Sequence, residues 1–167
     1  SVDRAESHFY CEVEGNANGY QTGQAGALEV EPATTVEIGW CVLQHPPSTT
    51  AGVEADTEPI YGRFYAAGCT EGAAECAGVL GELGVGDPEV DPSAQPDAYT
   101  WVAAAYNAGH TSDNNDEHEA TLSLDTAGAY AYAFRFTGDG GSTYLYCDLN
   151  GSDDGFDAGQ MGALTVE

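Results

Sequence analysis

Lysine is absent from this 167-residue chain, and arginine occurs only at Arg4, Arg63 and Arg135. Against those three cations stand 28 Asp and Glu residues, for a net charge of −25. A phosphate backbone needs a basic footprint, so nucleic acid is excluded as a partner. Adhesion to anionic membrane surfaces is disfavoured on the same ground. No run of 18 apolar residues occurs, so no membrane insertion is expected. The four histidines (His8, His45, His110, His118) fall in no HExxH or paired spacing, and no Gly-x-Ser-x-Gly elbow is present. Gly138-x-Gly140-Gly141 is followed by neither Lys nor a helical pattern, so it reads as a hairpin turn and not as a phosphate loop. No motif marks an enzyme, and no cofactor is required. With no signal-peptide pattern and no initiator Met before Ser1, the chain reads as mature or excised.

What is abundant points to β-structure. Glycine occurs 22 times, and Tyr (10) outnumbers Phe (5). Gly-rich turns between Tyr-, Val- and Thr-containing runs suggest an all-β chain. The length suits one domain with a sizeable core. Self-repulsion at this charge weakens the compact state at low salt, so a salty or divalent-rich setting is expected.

One stretch occurs twice. Residues 9–31 align without a gap against residues 145–167, at a constant offset of 136, and 11 of the 23 positions are identical. The shared residues include Tyr10 and Tyr146, Cys11 and Cys147, Gly15 and Gly151, Gly26 and Gly162, Leu28 and Leu164, and Val30 and Val166. Such self-similarity is an internal repeat. It divides the chain into residues 1–31, a strand segment that repeats the end of the domain, and residues 32–167, one β-sandwich domain.

Apolar patterning predicts strands over 8–13, 27–31, 35–44, 60–66, 78–85, 99–106, 119–124, 130–136, 143–149 and 163–167; in the fourth, Ile60, Arg63 and Tyr65 break simple alternation, and over 69–86 a helical apolar face is the alternative, opposed by six glycines in and around it. In the third of these, Val36, Ile38, Trp40 and Val42 share one face. Pro46 and Pro47 end it, and residues 48–57 read as a loop. Seven or eight short strands in the full repeat suggest a β-sandwich of immunoglobulin or fibronectin-III type, with a duplicated terminal strand segment. A jelly roll or a small barrel are the alternatives.

Five cysteines in a Lys-free, Gly-rich chain suggest an oxidising compartment, extracellular or at the cell surface. Cys69 and Cys76 bracket a short loop and form a local disulfide candidate. Cys41 and Cys147 lie near the first and last strands of the full repeat and can staple them. Cys11 is then a spare or intermolecular thiol. In the alternative, Cys11 pairs with Cys41 and Cys147 is the spare.

Several stretches also carry a family resemblance. Trp40-Cys41-Val42-Leu43-Gln44-His45-Pro46-Pro47, Ile60-Tyr61-Gly62-Arg63-Phe64-Tyr65, Trp101-Val102-Ala103-Ala104-Ala105-Tyr106-Asn107, Asn115-Asp116-Glu117-His118-Glu119-Ala120-Thr121-Leu122 and Tyr146-Cys147-Asp148-Leu149-Asn150-Gly151-Ser152 are among them. Together they resemble a repeated immunoglobulin/fibronectin-III-like β-sandwich module of secreted multidomain bacterial proteins. The resemblance implies an extracellular, non-catalytic module.

Asp148, Asn150, Asp153, Asp154 and Asp157 place oxygen ligands at short intervals beside Gly155. A hard cation such as Ca²⁺ takes six to eight oxygens from a loop of this kind. The alternative is an acidic turn held by Asx hydrogen bonds. The corresponding residues of the first copy include fewer carboxylates. Two functions follow. In the first, the chain is a structural subunit whose partners are copies of itself, joined head-to-tail into a fibre by strand pairing of residues 1–31. In the second, it is an accessory module for a polysaccharide, which requires an exposed set of aromatics among Trp40, Tyr99, Trp101, Tyr106, Tyr144 and Tyr146.

Overall fold

The computed structural model describes residues 35–72 and 74–167. The chain divides into two units, Ser1–Pro32 and Ala33–Glu167. The strands expected over 8–13 and 27–31, and Cys11, lie outside the described residues.

The described chain is all-β. Nine strands, β1 (Trp40–His45), β2 (Ser48–Ala51), β3 (Ile60–Tyr65), β4 (Leu80–Gly86), β5 (Thr100–Tyr106), β6 (Asp116–Ala120), β7 (Gly128–Thr137), β8 (Leu145–Cys147) and β9 (Gly162–Val166), form one sheet. Its order is β1-β3-β6-β5-β4-β7-β9-β2, with β8 also on β7, and it is nearly closed into a barrel.

Two strands turn the sheet's corners. The first five residues of β5 pair with β4 through Thr100 to Ala104, and its last two, Ala105 and Tyr106, pair with β6. The ten-residue β7 pairs along one edge with β4. Along its other edge its first half pairs with β9 and its second half with β8. Chain closure comes from the same region. The Leu43 amide donates to the Asp148 carbonyl at 2.8 Å, and Cys41 is disulfide-bonded to Cys147. The second disulfide, Cys69–Cys76, closes a loop of sequence separation 7. Two disulfides indicate an oxidising setting.

The core follows β7. Tyr132, Phe134 and Phe136 are fully buried on one face and meet Leu43, Ile60, Phe64, Leu83 and Leu164. Alternation on β7 therefore reads true. On β3 burial alternates although the residue types do not, because Gly62 is the inward residue between Ile60 and Phe64, and the Phe134 ring occupies the space a side chain would take.

Four expectations differ from the structure. The first full-repeat strand begins at Trp40, and its core face is Cys41 and Leu43 rather than Trp40 and Val42. Pairing of Cys41 with Phe64, and the bond to Cys147, turn those residues inward. Residues 48–57 are not all loop, since Ser48–Ala51 forms β2, parallel to β9. The strand expected over 119–124 is Asp116–Ala120, and it carries Asp116, Glu117 and His118 into buried positions. The strand expected over 143–149 shortens to Leu145–Cys147, because the chain then leaves β7 to form the loop that leads to β9.

Candidate functional site

The second copy of the repeated stretch is the part that closes the barrel. Cys147 bonds to β1, and Leu164 and Val166 are core residues on β9. Gly162 lies under the Tyr132 ring, where a Cβ would come within 2.1 Å of a ring carbon. Gly151 has φ +90°, and a Cβ there would sit 2.9 Å from the Trp40 indole nitrogen. Each of these five residues has an identical counterpart in the first copy: Cys11, Gly15, Gly26, Leu28 and Val30. At these five positions the residue kept is one whose chemistry the closure demands; Gly155, Gly159, Gln160, Ala163 and Glu167, also identical between the copies, are exposed.

The acidic loop between β8 and β9 uses its first carboxylate internally. Asp148 is fully buried. Its Oδ1 accepts from the Asn150 and Gly151 amides at 3.1 Å, and its Oδ2 from the Asp157 amide at 2.6 Å. Asp157 Oδ1 in turn accepts from the Gly159 amide at 2.8 Å. These are the Asx-type bonds of an acidic turn. Asn150, Asp153 and Asp154 are exposed. Among the described residues, no group of three or more His, Cys, Asp or Glu side chains is gathered as a metal site. The turn Asp113 to Asp116 is likewise structural: Asp116 Oδ2 accepts from the Cys76 amide at 2.7 Å, and Asp113 pairs with Arg63 and His110 at 2.6 and 2.9 Å.

The aromatics occupy two outer faces. On the first, Trp101 lies over Gly84 of β4, and the Arg135 guanidinium stacks between Trp101 and Tyr144, 3.8 and 3.9 Å from their ring centroids. Arg135 also donates to Glu82 Oε2 through Nε at 2.7 Å and to the Tyr146 hydroxyl at 3.3 Å. Tyr99 and Tyr146 flank Trp101, each with its ring centroid 5.9 Å away. Burial, with Asp87 and Asp91 nearby, pushes the Tyr99 hydroxyl up to about 12. This face is thus filled by its own guanidinium. Only a structure could reveal it, because Glu82, Trp101, Arg135 and Tyr144 are scattered over three strands and a hairpin.

On the second face, Trp40 and Tyr65 are cross-strand partners at the ends of β1 and β3, both half-buried. With Asn114, Asn115 and Asp153 they line an open groove of about 350 Å³. Neither the side-chain amides of Asn114 and Asn115 nor the Asp153 carboxylate makes a hydrogen bond to another described residue. The groove wall is tied down: the Cys41 amide donates to Ser152 Oγ at 2.9 Å, and the Tyr65 hydroxyl donates to Glu71 Oε1 at 2.8 Å.

The described histidines differ: His45 is exposed, while His110 and His118 have partners. His118 is buried among Phe64, Tyr106 and Phe136 in edge-on contacts. Burial lowers its pKa from the ordinary value. His110 lies between Asp113 and Glu117. Among the described residues, no helix is long and apolar enough to cross a membrane.

No family model matches the chain, and no curated protein matches it.

Proposed function

We propose that the chain is a non-catalytic structural subunit of an extracellular assembly, in which residues 1–31 close the barrel of a neighbouring copy by strand pairing. The observation that carries this reading is the agreement between repeat and closure. Five of the eleven residues identical between the copies are, in the second, ones that bond to β1, lie against Tyr132 or Trp40 and fill the core. A first copy with the same set has the chemistry to enter the same place on another barrel.

An immunoglobulin-like module suits that role. The path β1-β3-β6-β5 corresponds to the A-B-E-D sheet of such a sandwich, and β9-β7-β4 to G-F-C. In this reading the strand pair β1 and β2 divides between the two sheets at Pro46 and Pro47.

Stoichiometry sets the mechanism. Each chain carries one acceptor and two closing segments, and residues 145–167 already occupy their own barrel. A neighbour's residues 1–31 therefore enter by exchange. The Cys11 thiolate attacks the Cys41 sulfur of the neighbour, forms a Cys11–Cys41 bond between chains, and releases Cys147 as a thiol. The number of disulfides is conserved, so no oxidant is needed. Repeated head-to-tail, the contact is heterologous and builds an open filament. Size-exclusion chromatography and negative-stain microscopy under non-reducing conditions test it. Multimers that vanish in Cys11→Ser are expected; a monodisperse monomer of 17.3 kDa would sink the reading.

A further inference from the structure

We infer that the groove between Trp40 and Tyr65 is a binding site for a neutral polysaccharide. It is a site of the barrel closed by its own residues 145–167; strand exchange, which puts Ala17 at the position of Asp153, would remove its carboxylate. A pyranose ring has an apolar C–H face and a rim of hydroxyls that both donate and accept. The groove offers the complement of each. Trp40 and Tyr65 supply aromatic surface on adjacent strands. Asn114, Asn115 and Asp153 supply amide donors and acceptors and a carboxylate acceptor at the rim, none of them engaged with another described residue.

The site is also held in shape before any ligand arrives. Trp40 packs over Gly151, and Asp153 follows Ser152, whose hydroxyl is bonded to β1 beside the Cys41–Cys147 disulfide. Rigid walls lower the ordering cost of binding.

The other aromatic face does not qualify. Between Trp101 and Tyr144 the space is taken by Arg135, itself paired with Glu82. Charge then selects among glycans. With Asp153 in the groove and a net charge of −25, uronic and sulfated polymers are repelled. The occupant is a neutral chain of pyranose units.

Affinity electrophoresis of the full chain tests this, with mannan, laminarin, xyloglucan and dextran as neutral probes and alginate and heparin as anionic ones. At least one neutral glycan should retard the chain saturably. Asn115→Ala, in a bend, and Asp153→Ala, in the short 3-10 helix Ser152–Asp154, both outside the core, should each weaken retardation by about tenfold, the factor expected for a lost hydrogen bond to a charged or well-placed polar group. Trp40→Ala should abolish it, with thermal melting as the check on folding, and Trp101→Phe should leave it unchanged. The proposal is overturned if no neutral probe is retarded, if only the anionic probes are, or if Asn115→Ala and Asp153→Ala bind as the parent does.

Discussion

Removing the Cys41–Cys147 disulfide should cost the domain more than removing Cys69–Cys76, and the difference can be worked from the chain. The two bonds span sequence separations of 106 and 7. The loop-entropy relation gives about 4.8 kcal/mol at 25 °C for the long loop and about 2.4 kcal/mol for the short one. Domains of this kind have about 5–15 kcal/mol in total, so the first loss takes a third or more of it. Packing adds in the same direction. Cys41 and Cys147 are both fully buried, whereas at the short bond Cys76 is buried and Cys69 half-buried, so Ser replacements at the long bond place one more hydroxyl in the core. The assay is equilibrium urea unfolding of Cys41→Ser/Cys147→Ser and Cys69→Ser/Cys76→Ser, each beside the parent. The first should lie at least about 2 kcal/mol below the second. Equal losses, or a larger loss at the short loop, would refute the claim that the long bond is what holds the closing strands to β1.

Other perturbations probe separate parts of the account. Leu164→Ala empties a core position on β9 and should cost about 2–5 kcal/mol in the same assay. Arg135→Lys keeps the charge but loses the planar stack between Trp101 and Tyr144, and a loss of about 1–2 kcal/mol is expected. His118 has a folded pKa below its ordinary 6.5, so the unfolded chain takes up its proton first as pH falls. Its contribution is therefore complete above that value and declines below it, and His118→Phe should flatten the stability profile between pH 7 and 5, as thermal melting would show. Asp139 accepts from the Thr143 amide and hydroxyl and from Thr137, which holds its carboxyl at about 2, and a carbon-detected NMR titration should find it among the most acidic in the chain. With 28 acids and three arginines, melting temperature should rise steadily as NaCl is raised from low salt.

Much of this fold was legible because alternation is a local property. Tyr132, Phe134 and Phe136 announce β7, and the repeat marks residues 145–167 as a unit before any coordinate is known. What was hidden is long-range. In β6, Asp116, Glu117 and His118 are buried against the rule that charged residues stay outside, because the Cys76 amide, Asn107 and an aromatic cage wait for them. β2 has no hydrophobic signature at all, being Ser-Thr-Thr-Ala, and exists because β9 offers it an edge. Which side of β1 looks inward was hidden as well, because a disulfide to a residue 106 positions away turns Cys41 to the core. In the acidic loop, the spacing of the carboxylates does not tell which of them the fold itself uses. Backbone amides, invisible in a list of side chains, occupy both oxygens of Asp148.

The central claim is that residues 1–31 are a second set of closing strands for a neighbouring chain. Its most direct test is disulfide mapping by mass spectrometry of the multimeric fraction, digested without reduction. The account predicts a Cys11–Cys41 peptide pair that is absent from the monomer fraction, with Cys69–Cys76 intact in both. Every fraction showing only Cys41–Cys147 and Cys69–Cys76, with Cys11 as a free thiol throughout, would contradict it.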